Sequence, residues 1–153
     1  MGRWWTMDHP DPFDLQRFVD AQAPVVDRAI AELRAGRKRT HWMWFVFPQV
    51  VGLGSSRVAQ RYAIRSLDEA RAFLAQPTLG PNLDRCVDAV LTHDPLDPSA
   101  LMGWPDDLKL RSSMTLFEAV GAARAAEVLE RGYGGQRDAS TVAVLEGWRG
   151  RGG

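Results

Sequence analysis

Signals that begin or interrupt helices recur along this 153-residue chain and leave little room for a long helix. Caps or prolines that begin helices stand at Asp11-Pro12, Ser66, Pro81, Pro105 and Asp138, and Pro24, Gly36 and the glycine-rich turn 52–56 interrupt the pattern between the first two. Between them apolar residues recur three and four apart, which is the period of a helix, and no two segments make a convincing hairpin. The pattern predicts an all-α fold, an irregular single-domain bundle of about seven or eight short helices.

The chain length suits one domain of ordinary size. We assign that domain to residues 11–147. We expect residues 1–10 to form a flexible N-terminal segment and the Gly/Arg-rich residues 148–153 to form a frayed C-terminal tail. The two-proline stretch 92–99 is too short to separate domains, and we interpret it as a linker.

The charges balance, with 19 Lys+Arg against 19 Asp+Glu. This balance excludes a polybasic nucleic-acid coat and gives no general attraction to membranes. The longest mostly apolar run, residues 42–53, is too short and too interrupted to span a bilayer. We find no signal peptide and expect a cytoplasmic protein, a monomer or a homodimer, that binds no membrane.

The single cysteine, Cys86, excludes an internal disulfide, and it falls on an apolar helix face typical of a small core residue. Three scattered histidines complete no ligand set with it. We therefore expect no metal and no cofactor.

A first cluster of candidate binding residues surrounds a glycine-rich turn. It consists of His41, Trp42, Trp44 and Gln49, followed by Gly52, Gly54, Ser55 and Ser56. Two indoles for stacking, an amide, a group that titrates near neutral pH and backbone amides before a helix suit a planar, phosphorylated ligand. In this interpretation His41 is the general acid or base. The alternative is a tight turn in which Ser55 or Ser56 caps the following helix.

A second cluster lies in the helix that Pro105 begins. Lys109, Ser112 and Ser113 share one helical face, and hydroxyls in an apolar helix need compensation. A polar pocket supplies it, with Lys109 holding a phosphate or carboxylate and the serines assisting catalysis. Alternatively the serines permit close packing, while Lys109 pairs with a neighbouring aspartate at the surface.

We predict that the segment around Trp44 and the helix near Lys109 face each other across one hollow. Tyr62, on the helix after the glycine-rich turn, could place its hydroxyl in the same hollow. A buried tyrosine bonded to a carbonyl explains that residue equally well.

Five blocks of the sequence carry a resemblance to a known family. They read DPFDLQRFVDAQ, RKRTHWMWFVFPQVVGLGSS, RYAIRSLDEARAFL, LGPNLDRCVDAVL and PDDLKLRSSMTLF. They resemble the DUF1810 family, small and mainly α-helical bacterial proteins without an established role, from Asp11 to Leu145. A distant similarity to the NADAR group, in its aromatic-His-Gln and mid-helix Lys features, implies an ADP-ribose-type ligand.

These observations together favour a protein that binds a nucleotide-like small molecule derived from ADP-ribose or NAD, or a hydrolase of its N-glycosidic bond. The sequence shows no well-placed buried carboxylate for that hydrolysis. A second possibility, to which we give less weight, is a weak nucleic-acid or phosphate-binding module that uses residues 37–42. A third is a protein-interaction domain with exposed tryptophans.

Overall fold

The computed structural model describes residues 3–152, and its helices confirm the all-α, single-domain fold. Ten helices lie in that part of the chain: α1 Gln16–Gln22, α2 Val26–Ala35, α3 Met43–Val46, α4 Arg57–Arg61, α5 Leu67–Ala75, α6 Leu79–Leu91, α7 Pro98–Met102, α8 Asp106–Ala119, α9 Ala125–Tyr133 and α10 Ala139–Gly150. Across the described range, no helix is both long and apolar enough to cross a bilayer.

The expected number of helices, seven or eight, is wrong for two local reasons. Helix α7 begins at the end of the stretch interpreted as a linker and continues to Met102, because the Asp97 carboxylate accepts from the Ala100 amide and Pro98 occupies the first turn. The expected continuation of α8 is interrupted because Gly121 and Arg124 adopt positive φ, which separates α9 as its own helix.

Side-chain caps begin several helices where the sequence predicts them. Ser66 Oγ accepts from the Glu69 amide at 3.0 Å and begins α5, and Asp138 caps α10 through the Thr141 amide at 2.9 Å. Asp11 acts one turn ahead of α1, where its carboxylate accepts from the Leu15 and Gln16 amides. The first helix therefore begins later than the Asp11-Pro12 signal suggests.

The core is built around α8 and α6. Helix α8 packs against α7, α9 and α10, while α6 packs against α2, α5 and α9. A chain of rings crosses the centre: Phe73 meets Phe18 edge-on at 5.1 Å and meets Phe117 at 5.2 Å between ring centroids. These contacts join α1, α5 and α8 into one body.

Both chain ends pack more closely than expected. Helix α10 continues to Gly150 and buries Trp148, so a tail frayed from residue 148 is wrong. The indole has enough apolar area to hold the last turn against the core. Trp4 also packs against the core. Met1, Gly2 and Gly153 lie outside the described residues, and the flexibility of residues 1–10 stays a prediction.

A buried carboxylate on α2 organises the connector before α3. Glu32 accepts hydrogen bonds from the amides of Arg39 and Thr40, from the Thr40 hydroxyl at 2.6 Å and from Trp42 Nε1 at 3.0 Å. Burial by itself raises the pKa of Glu32, but these hydrogen bonds outweigh it and lower the pKa from 4.5 to about 2. The hydrogen bonds of the folded chain therefore stabilise the ionised form of Glu32.

We expect Glu32→Gln to lower the free energy of unfolding by about 2–3 kcal/mol at pH 7. The pKa of Glu32 is lower in the folded chain, so its contribution is present above pH 4.5 and is lost as the pH falls towards 2. The free energies of unfolding of wild type and variant should therefore approach each other as the pH falls, and urea unfolding of both between pH 7 and pH 3 measures this. The exposed Glu146→Gln is the matched control, and a difference that does not change with pH would contradict the argument.

Candidate functional site

A cleft of about 430 Å³ lies between the chain following α3 and one face of α8, with the start of α10 at its end. Its lining residues are Trp44, Gln49, Leu53, Gly54, Ser55, Ser56, Ala59, Pro105, Leu108, Lys109, Ser112, Asp138 and Ser140. The predicted hollow between the Trp44 segment and the Lys109 helix is therefore confirmed.

Lys109 reaches across this cleft to the indole of Trp44, with Nζ 5.6 Å from the ring centroid. The expected surface partner of Lys109 is present but distant, since Nζ lies 3.6 Å from Asp106 Oδ1. Asp106 is held more closely by the buried Lys38, at 2.8 Å from Oδ2. Lys109, with a 31% exposed side chain, therefore keeps donors that a ligand can use.

The glycine-rich turn forms one wall of the cleft and packs tightly on α4. A methyl group at Gly54 would come within 2.7 Å of Ala59 Cβ, so only glycine allows this approach. Gly52 has a φ of +96°, also a glycine conformation, and it is not among the lining residues. Ser56 Oγ accepts from the Ala59 amide at 3.1 Å, as the capping interpretation predicts. That amide is consequently not free to hold a phosphate.

Five predicted site residues do not line the cleft: Gly52, Tyr62, Trp42, His41 and Ser113. Trp42 is fully buried, with Nε1 bonded to Glu32 and its ring under Lys38, so its assignment to ligand binding is wrong. His41 is exposed and does not line the cleft. Ser113 is completely buried on the core side of α8, away from any ligand.

Tyr62 lies behind the cleft wall. Its half-buried ring packs against Phe45 at 5.3 Å and Phe18 at 5.6 Å between centroids. A small cavity of about 20 Å³ separates it from Trp44 and Gln49. Gln49 itself lines the main cleft, and its carbonyl accepts from the Ile64 amide at 2.9 Å, which fixes its position.

Sequence reasoning missed the carboxylate of the site, Asp138, which it assigned only to a helix cap. Oδ2 makes the capping bonds to the Thr141 amide and hydroxyl, while Oδ1 lies 3.9 Å from Arg111 Nη2. The cap signal correctly located the start of α10. It contained no information on which helix that start would face.

Among residues 3–152, no group of His, Cys, Asp and Glu side chains has the arrangement of a metal site. Cys86 is buried, and burial raises the pKa of its thiol to about 12. A thiol of that pKa is not a nucleophile at neutral pH, and the cysteine acts as a small core residue.

Comparison with known proteins decides the family. The family model of DUF1810, a protein of unknown function, matches residues 12–145. The chain belongs to the DUF1810 family. The crystal structure of the conserved hypothetical protein Rv1873 from Mycobacterium tuberculosis is 54% identical to this DUF1810 chain and covers 89% of it and 99% of its own length, with a TM-score of 0.86. No curated protein matches the chain, and the NADAR similarity stays a prediction.

In this DUF1810 protein, one face of α8 lines the cleft and the other lies in the core. Substitution of Ser113 tests its assignment to the core face. Its hydroxyl is buried without a hydrogen-bond partner in the described part of the chain. We expect Ser113→Ala to leave ligand binding unchanged and to keep or raise the free energy of unfolding, by up to about 1 kcal/mol. Calorimetric unfolding measures this, with Ser112→Ala on the cleft face as the control. Destabilisation by Ser113→Ala would contradict the assignment.

Proposed function

We propose that this DUF1810 protein binds a nucleotide-like small molecule, derived from ADP-ribose or NAD, in the cleft between Trp44 and Lys109. The observation that carries the proposal is the lysine ammonium 5.6 Å from the indole centroid at the wall of a cleft of about 430 Å³. Clefts of this size are typical of small-ligand sites. An aromatic face next to a cation suits a ligand with a planar ring and a phosphate.

Each wall of the cleft contributes one kind of contact. A base would stack on Trp44, and the Gln49 amide would read its polar edge. Lys109 would bind the phosphate as a point charge, assisted by hydroxyls of the turn at Ser55. All of these groups line the same cleft, so one ligand can contact them together.

Charge gives the ligand a direction in the cleft. Asp138 lies at the α10 end and repels phosphate, while Lys109 attracts it. The phosphate therefore belongs near Lys109, and the sugar hydroxyls belong near the carboxylate, which accepts their hydrogen bonds. This orientation distinguishes a nucleotide from inorganic phosphate.

Asp138 also favours a second candidate function, hydrolysis of an N-glycosidic bond. A carboxylate beside the sugar stabilises the positive charge that develops when the bond from the anomeric carbon to the base breaks. In NAD the bonding pair stays on the positively charged ring nitrogen, so nicotinamide leaves as the neutral base; water adds to the carbon and loses one proton to the solvent. His41 lies outside the cleft, so the role that the sequence suggests for it would pass to Asp138.

Nucleic-acid binding and protein interaction each depend on a particular tryptophan. Nucleic-acid binding by residues 37–42 would need an exposed ring on which a base can stack, but Trp42 is buried against Glu32. A protein-interaction role is favoured by Trp104, which is 81% exposed beside Pro105 of the cleft wall.

Calorimetric titration with ADP-ribose tests binding. We expect Lys109→Ala and Trp44→Ala each to weaken the affinity by tenfold or more, and Trp44→Phe to weaken it less because a ring remains. Arg149→Ala, which removes an exposed positive charge from the end of α10, is the matched control. Absence of binding to wild type at millimolar ligand, or equal affinity in all variants, would refute the proposal.

Release of nicotinamide from NAD tests the hydrolase function separately. Asp138→Asn keeps an oxygen that can cap α10 but removes the negative charge. We expect it to lower kcat by at least tenfold while ADP-ribose still binds. If wild type binds ADP-ribose and releases no base, hydrolysis is wrong and the binding proposal stands.

A further inference from the structure

A second concave surface, of about 780 Å³, lies on the other side of α4 from the Trp44 cleft. It is formed by the turn before α1, by α4 and by the start of α5. Exposed arginines at Arg57, Arg61 and Arg65 surround it, and we call it the arginine groove. Nothing in the proposed function uses this surface.

The floor of the arginine groove is held by a buried guanidinium. The side chain of Arg17, 8% exposed, donates to Glu69 Oε2 at 2.8 Å and to the carbonyls of Arg61 and Ala63. It also donates to the carbonyls at the turn before α1. Arg17 therefore joins all three segments of the groove and fixes its shape before any ligand arrives.

The charge of Arg17 does not contribute to an anion site, because Glu69 neutralises it. The other carboxylate oxygen of Glu69 accepts from the Arg65 amide at 2.9 Å. The remaining acid of the groove, Asp14, is exposed at its edge. Three arginine charges consequently face one unpaired carboxylate.

The three groove arginines carry charges that no carboxylate within residues 3–152 neutralises, as exposed Arg34 and Arg149 also do, and they differ from those two in surrounding one concave surface. Arg71, by contrast, pairs with Asp68 at 3.0 Å, whereas no ion pair within 4.0 Å includes a groove arginine in the described part of the chain. Arg61 lies over the Tyr62 ring at 5.6 Å, and Arg65 donates to the Gln60 carbonyl. These contacts orient two guanidinium groups without neutralising them.

We propose that the arginine groove binds a small organic phosphate that carries at least two negative charges, a phosphate monoester or a diphosphate. The planar guanidinium group donates two parallel hydrogen bonds to phosphate oxygens, and several such groups on a concave surface select for multiple charge. Half-buried Phe13 and exposed Pro12 provide an apolar wall for the organic part of the ligand.

Titration of the full chain with inorganic pyrophosphate, followed by calorimetry, tests this site. We expect Arg57→Ala combined with Arg61→Gln to weaken pyrophosphate binding at least tenfold. Both side chains are exposed, and the Arg61 carbonyl that Arg17 uses is retained. Arg57→Gln alone, on the surface of α4, should weaken binding by a smaller factor and serves as a second variant.

Two control variants separate the arginine groove from the Trp44 cleft. Arg71→Ala removes an arginine outside the groove and should bind pyrophosphate as wild type does. Lys109→Ala disables the cleft and should keep the pyrophosphate binding that the arginine variants lose. Loss of binding in Lys109→Ala with retention in the arginine variants would overturn the proposal, as would equal binding in all variants. ADP-ribose is itself an organic diphosphate, so its titration is repeated with the Arg57→Ala, Arg61→Gln variant. Binding in the Trp44 cleft should persist in that variant, so either site can fail alone.

The size of the ligand is tested with a ten-nucleotide single-stranded DNA. A small-phosphate site should bind the oligonucleotide no more tightly than pyrophosphate. Binding that is more than tenfold tighter and lost in the arginine variants would assign the groove to nucleic acid and overturn the proposed ligand class.

Discussion

The ionised carboxylate of Glu32 sets the geometry on which the cleft depends. Its bonds to Thr40 and Trp42 fold the basic connector back on α2 and place Lys38 beside Asp106, at the first turn of α8. That ion pair positions the helix start from which Lys109 projects. One buried charge, fully hydrogen-bonded, thereby links the interior to a distant surface site.

The neighbouring positions Trp42 and Trp44 show where sequence reasoning succeeds and where it ends. Caps at Ser66 and Asp138 are local, so the sequence predicts them well. That the Trp44 segment faces the Lys109 helix is a hypothesis from the kinds of side chain in each, and the fold confirms it. Trp42 lies just before α3 and Trp44 lies in its first turn; the ring of Trp42 is buried in the core, whereas Trp44 lines the cleft. Which of the two enters the core depends on Glu32, a partner from a different helix.

The sequence does not predict the place of Asp138 in the cleft, because that place also depends on a partner from another helix. Its cap is a property of α10 alone, whereas its position in the cleft arises from the packing of α10 on α8. Extra helices such as α7 were missed because a five-residue helix has no apolar period to detect. Local chemistry thus predicts helix starts, and tertiary packing decides which side chains meet.

Helix α4 stands between the two concave surfaces, with Ala59 on the cleft side and Arg61 on the groove side. Because Gly54 leaves no space for even one added methyl group against Ala59, the turn cannot slide over the helix. The turn and α4 therefore form one closely packed unit, and that unit lines both concave surfaces.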